Sequence, residues 1–196
     1  MDQLLTYLRS IHRISPALED HLLQIVKWKI IKKKSFLLKP GQISRNMCFI
    51  QKGLLRAYYV RDQTEVSSWF MKEGDICVSI ESFYEQRPGF EYIQAIEDTE
   101  LFYIYYAELE EIYKQFPEFN VIGRILTIKY LSHWSRQLYA IRMQSAKEKY
   151  EWLFNSHPEL IQRVPQKYIA SYLNITPETL SKIRGEKEIC KLKQSI

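Results

Sequence analysis

The chain has 196 residues, of which 46% are hydrophobic, 26% charged and 14% aromatic, and its formal charge is +5. These proportions are typical of globular proteins and exclude a disordered or fibrous chain. The longest apolar run, Leu101–Ala107, is far shorter than the roughly 20 residues that a membrane-spanning helix needs. Asp2 and Arg9 interrupt the apolar residues at the N-terminus, so we read no secretory signal there and expect a cytoplasmic protein.

The cysteines and histidines give no indication of a metal site or a catalytic centre. Cys48, Cys77 and Cys190 are widely spaced, which favours reduced and buried thiols. Residues 35–106 contain no histidine, and the chain has neither a glycine-rich phosphate loop nor a serine nucleophile elbow. We therefore expect no metal, no cofactor and no enzymatic activity.

Residues 3–31 show helical spacing, and the pattern then changes to short apolar runs separated by turn residues. Seven runs at roughly ten-residue spacing predict a β-sandwich or jelly roll. The predicted strands are Phe36–Lys39, Cys48–Gln51, Leu54–Val60, Val66–Met71, Ile76–Ile80, Tyr92–Ile96 and Leu101–Tyr106.

A long helix follows, with apolar residues separated by three or four positions over more than five turns. These residues are Val121, Ile125, Ile128, Leu131, Trp134, Leu138 and Ile141. At 1.5 Å per residue, a helix of about 25 residues extends about 37 Å, which is longer than a sandwich of this size readily covers. We favour pairing with the same helix of a second copy, and packing on the chain's own sandwich is the alternative.

The segment from Val164 to Gly185 predicts two short helices joined by a tight turn. Asn174 tolerates the left-handed conformation that such a turn needs, and Thr176 caps a second helix that begins at Pro177. Residues 164–196 hold 6 basic and 3 acidic side chains, which suits a polyanionic partner. This pattern predicts a helix-turn-helix that binds DNA, and an αα-hairpin that makes protein contacts is the alternative. The predicted DNA-binding residues are Gln166, Lys167, Thr176, Pro177, Glu178, Thr179, Ser181, Lys182 and Arg184.

The order of these elements resembles the Crp/Fnr family of bacterial transcription regulators. Three segments, LLKPGQ (Leu37–Gln42), CFIQKGLLRAYY (Cys48–Tyr59) and EGDICVSIESF (Glu73–Phe83), are similar to turns of the family's cyclic nucleotide-binding domain. The segment PQKYIASYLNITPETLSKIR (Pro165–Arg184) is similar to its DNA-binding motif.

The resemblance implies an α+β fold with three parts. Residues 1–116 form a sandwich or jelly roll with flanking helices, residues 117–144 form the dimerisation helix, and residues 145–196 form the DNA-binding domain. About eleven residues follow Gly185, so we expect the β-hairpin wing to be truncated. The implied partners are double-stranded DNA with a two-fold-related site and a second copy of the chain. RNA polymerase is a further candidate partner, and we expect no membrane.

The chain departs from the family at the nucleotide pocket. Val78-Ser79 and Gly89-Phe90 stand where nucleotide-binding members carry a ribose acceptor and a phosphate-binding arginine. We therefore expect that cyclic AMP does not bind in the familiar pose and that the effector, if any, is another small molecule. The residues assigned to the effector pocket are Val78, Ser79, Ile80, Glu81, Arg87, Phe90 and Tyr92. The alternative function is a ligand-binding or protein-interaction module that does not bind DNA.

Overall fold

The computed structural model describes residues 1–194, which begin with two helices. Helix α1 spans Asp2–Ile11 and α2 spans Pro16–Ile25. The Ser15 hydroxyl caps α2 by accepting a hydrogen bond from the Leu18 N–H (3.1 Å), and Pro16 stands at the first helical position, where no N–H is needed. No helix among the described residues is long and apolar enough to cross a membrane.

Eight strands form two antiparallel four-stranded sheets. One sheet has the order β1-β8-β3-β6 and the other has the order β2-β7-β4-β5. The strands are β1 (Lys27–Ile31), β2 (Phe36–Leu38), β3 (Asn46–Lys52), β4 (Leu55–Arg61), β5 (Thr64–Met71), β6 (Ile76–Cys77), β7 (Tyr92–Ala95) and β8 (Thr99–Tyr105). The predicted jelly-roll architecture is thus confirmed. Six of the seven predicted strands are present with small shifts at their ends, and the seventh, Ile76–Ile80, is shortened to Ile76–Cys77.

The alternation of side chains along the strands builds two apolar clusters. Cys48 and Ile50 of β3 point into the sandwich, where they join residues of both sheets in one buried cluster. Phe49, between them, points outward and joins a second cluster in which α1, α2 and the helices after β8 cover the sheet. Because each face is buried, a one-residue slip of β3 is disfavoured on both sides.

Two elements differ from the sequence prediction. Residues 27–31, predicted as helical, form strand β1 at the edge of its sheet, with Trp28 and Ile30 exposed on one face. The run predicted as a strand to Ile80 pairs only over β6, and helix α3 (Ile80–Glu85) follows at once. In both cases the apolar run is too short for its periodicity to distinguish a helix from a strand. Hydrogen bonding to a neighbouring strand determines which of the two forms.

The remaining helices are α4 (Tyr106–Gln115), α5 (Pro117–Met143), α6 (Ala146–Ser156), α7 (Pro158–Arg163), α8 (Gln166–Tyr172) and α9 (Pro177–Gln194). Helix α9 continues through Gly185, so residues 185–194 are helical and contribute no wing strand. The predicted lack of a full wing therefore holds for the described residues.

The chain divides into two compact units that do not follow linear domain boundaries. The first unit contains Met1–Tyr59 and Trp69–Leu131, and the second contains Val60–Ser68 and the chain from Ser132 onward. The tip of the β4–β5 hairpin thus belongs to the same unit as helices α6 to α9. The three-part division proposed from the sequence remains a prediction.

Candidate nucleic-acid interface and effector pocket

Helices α8 and α9 form a helix-turn-helix whose turn depends on one residue with a positive φ angle. Asn174 adopts φ 53°, in the left-handed region that asparagine tolerates. The Ile175 N–H donates to the Ala170 carbonyl oxygen (3.0 Å) across the turn, and the Ala170 side chain is fully buried. A larger side chain at position 170 has no room, so these three residues fix how closely the two helices approach.

The start of α9 is capped as the sequence predicts. The Thr176 hydroxyl accepts a hydrogen bond from the Thr179 N–H (3.2 Å), and Pro177 takes the first helical position. Hydrogen bonds from its own backbone N–H and from the Thr176 hydroxyl lower the pKa of Glu178. Leu180 is fully buried, which turns the flanking positions of α9 to the outside.

The predicted DNA-binding residues lie mostly on the surface of this motif. Thr179 and Arg184 are half-buried, and the others are exposed. The exposed residues are Gln166, Lys167, Thr176, Pro177, Glu178, Ser181 and Lys182. We call these seven residues the reading face. It offers hydroxyl, amide, carboxylate and ammonium groups, which are the groups that hydrogen-bond to base edges and phosphates.

The helix-turn-helix also makes hydrogen bonds to strand β5 that the sequence did not predict. The Ser171 hydroxyl of α8 accepts a hydrogen bond from the Ser67 N–H (2.7 Å) and donates one to the Glu65 carbonyl oxygen (3.0 Å). Both backbone groups belong to β5, the last strand of its sheet. Nearby, the Gln137 side-chain amide of α5 donates to the Ser68 carbonyl oxygen (3.1 Å). No local sequence signal marks these contacts, because their partners are about 70 to 105 residues apart.

Helix α5 carries the predicted dimer residues with most of their side chains in solvent. Val121 and Ile141 are half-buried, whereas Ile125, Ile128, Leu131, Trp134 and Leu138 are exposed, from 36% at Ile125 to 67% at Leu131. A row of large apolar side chains on one helix is unusual on the surface of a monomer.

The predicted effector residues are dispersed. Among them Val78 lines a cavity, Ser79 is buried, and Ile80, Glu81, Arg87 and Phe90 are exposed. Tyr92 pairs with Tyr58 across β7 and β4 with stacked rings (4.8 Å between centroids). Its neighbour Ile93 points into the sandwich, so the Tyr92 side chain points away from it.

Carboxylates dominate the segment around α3. The Arg87 guanidinium forms ion pairs with Glu81 and with Glu85 (2.9 Å). Burial and the nearby Glu81 charge raise the pKa of Glu91, and a hydrogen bond with the Ser79 side chain partly opposes this shift. Arg87 is therefore already neutralised by two carboxylates, and a third carboxylate lies beside Ser79.

A cavity of about 470 Å³ lies at one end of the sandwich, within the usual size range of small-molecule sites. Five of its eleven lining residues are aliphatic, and most of the others are polar. The Asn46 side-chain oxygen on this wall is buried without a hydrogen-bond partner, and such an atom calls for a donor from outside the protein. The lining residues are Leu37, Leu38, Gln42, Ile43, Ser44, Arg45, Asn46, Cys77, Val78, Ile93 and Tyr105.

These features define a class of protein: a jelly-roll domain joined through a long helix to a helix-turn-helix. Residues 28–116 match the cyclic nucleotide-binding domain family. Over most of its length the chain has the fold of solved Crp/Fnr-type regulators, as its sequence predicts.

Three solved structures illustrate the similarity of fold. FixK2 from Bradyrhizobium japonicum has a TM-score of 0.70 at 16% identity, covering 85% of this chain and 86% of that one. A putative Crp/Fnr family regulator from Eubacterium rectale has a TM-score of 0.69 at 17% identity, with 90% and 84% covered. The c-di-GMP-responsive regulator CLP of Xanthomonas campestris has a TM-score of 0.70 at 13% identity, with 91% and 94% covered. No curated protein matches the chain.

Proposed function

We propose that this chain is a sequence-specific, DNA-binding transcription regulator that acts in the cytoplasm as a homodimer and carries out no catalytic step. The observation that carries the proposal is the reading face, which lies on α8 and on the capped start of α9. Seven polar or turn-forming residues are exposed there, while Ala170 and Leu180 behind them are fully buried. A helix that displays such residues near its N-terminus is suited to the major groove of DNA.

The apolar row on α5 supports the homodimer. A second copy of the same helix presents the same row, so a two-fold axis brings apolar surface against apolar surface. Such pairing removes Leu131 and Trp134, which are 67% and 49% exposed, from water. It also sets two reading faces at a fixed spacing, as two-fold-related DNA half-sites require.

Selection of bound sequences from random DNA tests this function directly. We expect the purified chain to enrich two half-sites related by two-fold symmetry, with their centres about one helical turn (10 base pairs) apart or a multiple of it. A chain carrying Lys182→Ala and Ser181→Ala serves as the comparison, and Lys33→Ala, an exposed lysine of the other unit, is the matched control. Recovery of only unselected sequence would instead favour a ligand-binding or protein-interaction module.

We also propose that no cyclic nucleotide binds near α3 through its phosphate group. Arg87 is engaged by Glu81 and Glu85, and the carboxyl group next to Ser79, that of Glu91, offers no positive charge to an anion. Burying a phosphate without a free cation costs several kcal/mol. Among the residues that line the cavity the cation is Arg45, and its side chain is exposed to solvent and not buried in the cavity wall.

Isothermal titration with cyclic AMP and cyclic GMP tests the exclusion. We expect no saturable heat with the unaltered chain. Glu91→Gln removes the nearby carboxylate while keeping its size, and Glu97→Gln is the matched control. Saturable binding of either nucleotide by the unaltered chain contradicts the exclusion.

A further inference from the structure

Two cysteines face each other across neighbouring strands, and one of them lines the cavity. Cys48 of β3 is the Cα partner of Cys77 of β6, and both side chains are 1% exposed within the same apolar cluster. Cys77 also lines the cavity. The cavity therefore gives a small molecule access to one of two adjacent thiols. The side chain of Cys190 lies outside the described part of the chain.

Backbone hydrogen bonds indicate which type of antiparallel pair these two cysteines form. The Ile50 N–H donates to the Asp75 carbonyl oxygen (3.0 Å), whereas the Ile76 N–H points away from β3 and donates to the Tyr130 hydroxyl oxygen (2.9 Å). Hydrogen-bonded pairs alternate along an antiparallel ladder, so Cys48 and Cys77, two positions from Ile50 and Asp75, form a hydrogen-bonded pair. In such pairs the Cα atoms are about 5.5 Å apart and the side chains lie farther apart than in the alternate pairs.

This separation favours a bridging atom over a direct disulfide. Relaxed disulfides need Cβ atoms about 3.5–4.5 Å apart, whereas opposed residues in a ladder have Cβ atoms about 4.5–5.5 Å apart, with hydrogen-bonded pairs at the wider end. An atom bonded to both sulfurs spans the extra distance. Among the described residues there is no group of three side chains that could hold a metal ion. The bridging atom must therefore be one that needs only two sulfur ligands from the protein.

Charge selects among such centres. Burial raises the pKa of the Cys48 thiol to about 12 and also raises that of Cys77, so both thiols are neutral at physiological pH. A monovalent soft cation bound to two thiolates leaves a negative charge in an apolar core, which is costly. A divalent two-coordinate cation and a trivalent arsenic atom that already carries one organic group both leave an uncharged product. Of these two, only the arsenical brings an organic group that can pack against the aliphatic residues of the cavity.

We propose that Cys48 and Cys77 form a dithiol site that captures organic trivalent arsenicals entering through the cavity. The reaction of an arsenical R–As=O with the two thiols forms two As–S bonds and one water molecule. The oxygen leaves with both thiol protons, and no atom changes oxidation state. The aliphatic lining residues Leu38, Val78 and Ile93 suit the organic group.

Phenylarsine oxide is the probe, and the freshly reduced Cys190→Ser chain keeps only the proposed pair of thiols. Intact-protein mass spectrometry should show one C6H5As unit gained and two hydrogens lost per chain. Dithiothreitol should reverse the capture, and a monothiol at equal thiol concentration should not. Cys48→Ala and Cys77→Ala should each abolish stable capture, and Cys77→Val is a second apolar replacement if the alanine variant unfolds.

Access is tested without altering a thiol. Val78→Phe narrows the cavity and should slow capture about tenfold or more, because a closely packed interior admits a probe only through existing space. Capture that persists in Cys77→Ala or Cys77→Val, or no capture by the folded Cys190→Ser chain, overturns the proposal. A change in DNA affinity on capture rests on the proposed function and is measured separately by fluorescence anisotropy. If DNA affinity does not change on capture, the conclusion that the two thiols capture the arsenical still stands.

Discussion

At the scale of single residues, the start of α9 combines a cap with a reading surface. The Thr176 hydroxyl holds the first turn, and hydrogen bonds lower the pKa of the exposed Glu178 carboxyl, which favours its ionised form. One turn on, Lys182 is exposed on the same helix. An ionised carboxylate accepts from a cytosine amino group, and an ammonium donates to a guanine edge or a phosphate.

Replacing either charged residue should weaken recognition of the selected DNA site. We expect Lys182→Ala to cost about 1–3 kcal/mol of specific binding free energy. Glu178→Ala should relax the preference at one base pair. Fluorescence anisotropy with the selected and a scrambled duplex measures both effects, and Lys33→Ala is the control. Unchanged affinity and unchanged base preference in a chain that carries both Lys182→Ala and Glu178→Ala would remove the base-reading assignment.

At the scale of elements, α8 is attached to the β4–β5 hairpin as well as to α9. The Ser171 hydroxyl forms hydrogen bonds with the edge of β5 where no further strand pairs with it. It accepts from the Ser67 N–H and donates to the Glu65 carbonyl oxygen. The hairpin tip and the helix-turn-helix belong to one compact unit. This contact therefore contributes to the stability of the unit that carries the reading face.

Ser171→Ala should destabilise that unit by about 1–2 kcal/mol, because two hydrogen bonds are lost at a half-buried position. Ser171→Thr keeps the hydroxyl and is the matched control. Hydrogen exchange resolves the effect: the Ser67 amide should exchange faster in the alanine variant, whereas amides of α2 should not change. Equal Ser67 protection in both variants would mean that the serine contact adds no stability.

Local signals explain what was predictable from the sequence. Thr176 and Pro177 mark a helix start by residue type alone, and Asn174 marks the turn before it. The register that sets Cys48 opposite Cys77 has no local signal, because pairing depends on the turn after β5 and on both faces of β3. The carboxylate pairs of Arg87 and the orientation of Tyr92 likewise follow from the path of the chain after α3, so most predicted effector residues lie away from the cavity wall.

At the scale of the whole molecule, the proposed function leads us to expect that α5 makes dimerisation and DNA binding interdependent. Leu131→Glu places a charge in the apolar row and should shift the chain from dimer to monomer, as measured by analytical ultracentrifugation. Arg136→Glu adds the same carboxylate to an exposed position outside that row and is the control. We expect the monomeric variant to lose affinity for a two-half-site duplex and to retain weak binding to a single half-site. A Leu131→Glu chain that remains dimeric would exclude this helix as the interface.

Salt dependence tests the electrostatic part of DNA binding. The logarithm of the association constant should fall linearly with the logarithm of salt concentration, with a slope of about −0.9 for each phosphate contacted. Lys167→Ala should make this slope less negative by about 1 if Lys167 contacts a phosphate. The control is Lys33→Ala. An affinity that is independent of salt contradicts binding through the basic residues of the helix-turn-helix.

Strand β1 has a consequence for solubility. It is the open border of its sheet and exposes Trp28 and Ile30, a combination that invites strand addition and fibrous aggregation. Lys27 and Lys29 alternate with these two residues, and their ammonium groups lie over the rings of Tyr105 and Tyr103. Lys27 is also ion-paired with Glu108, so Lys29 is the residue whose like charge opposes association of two such borders.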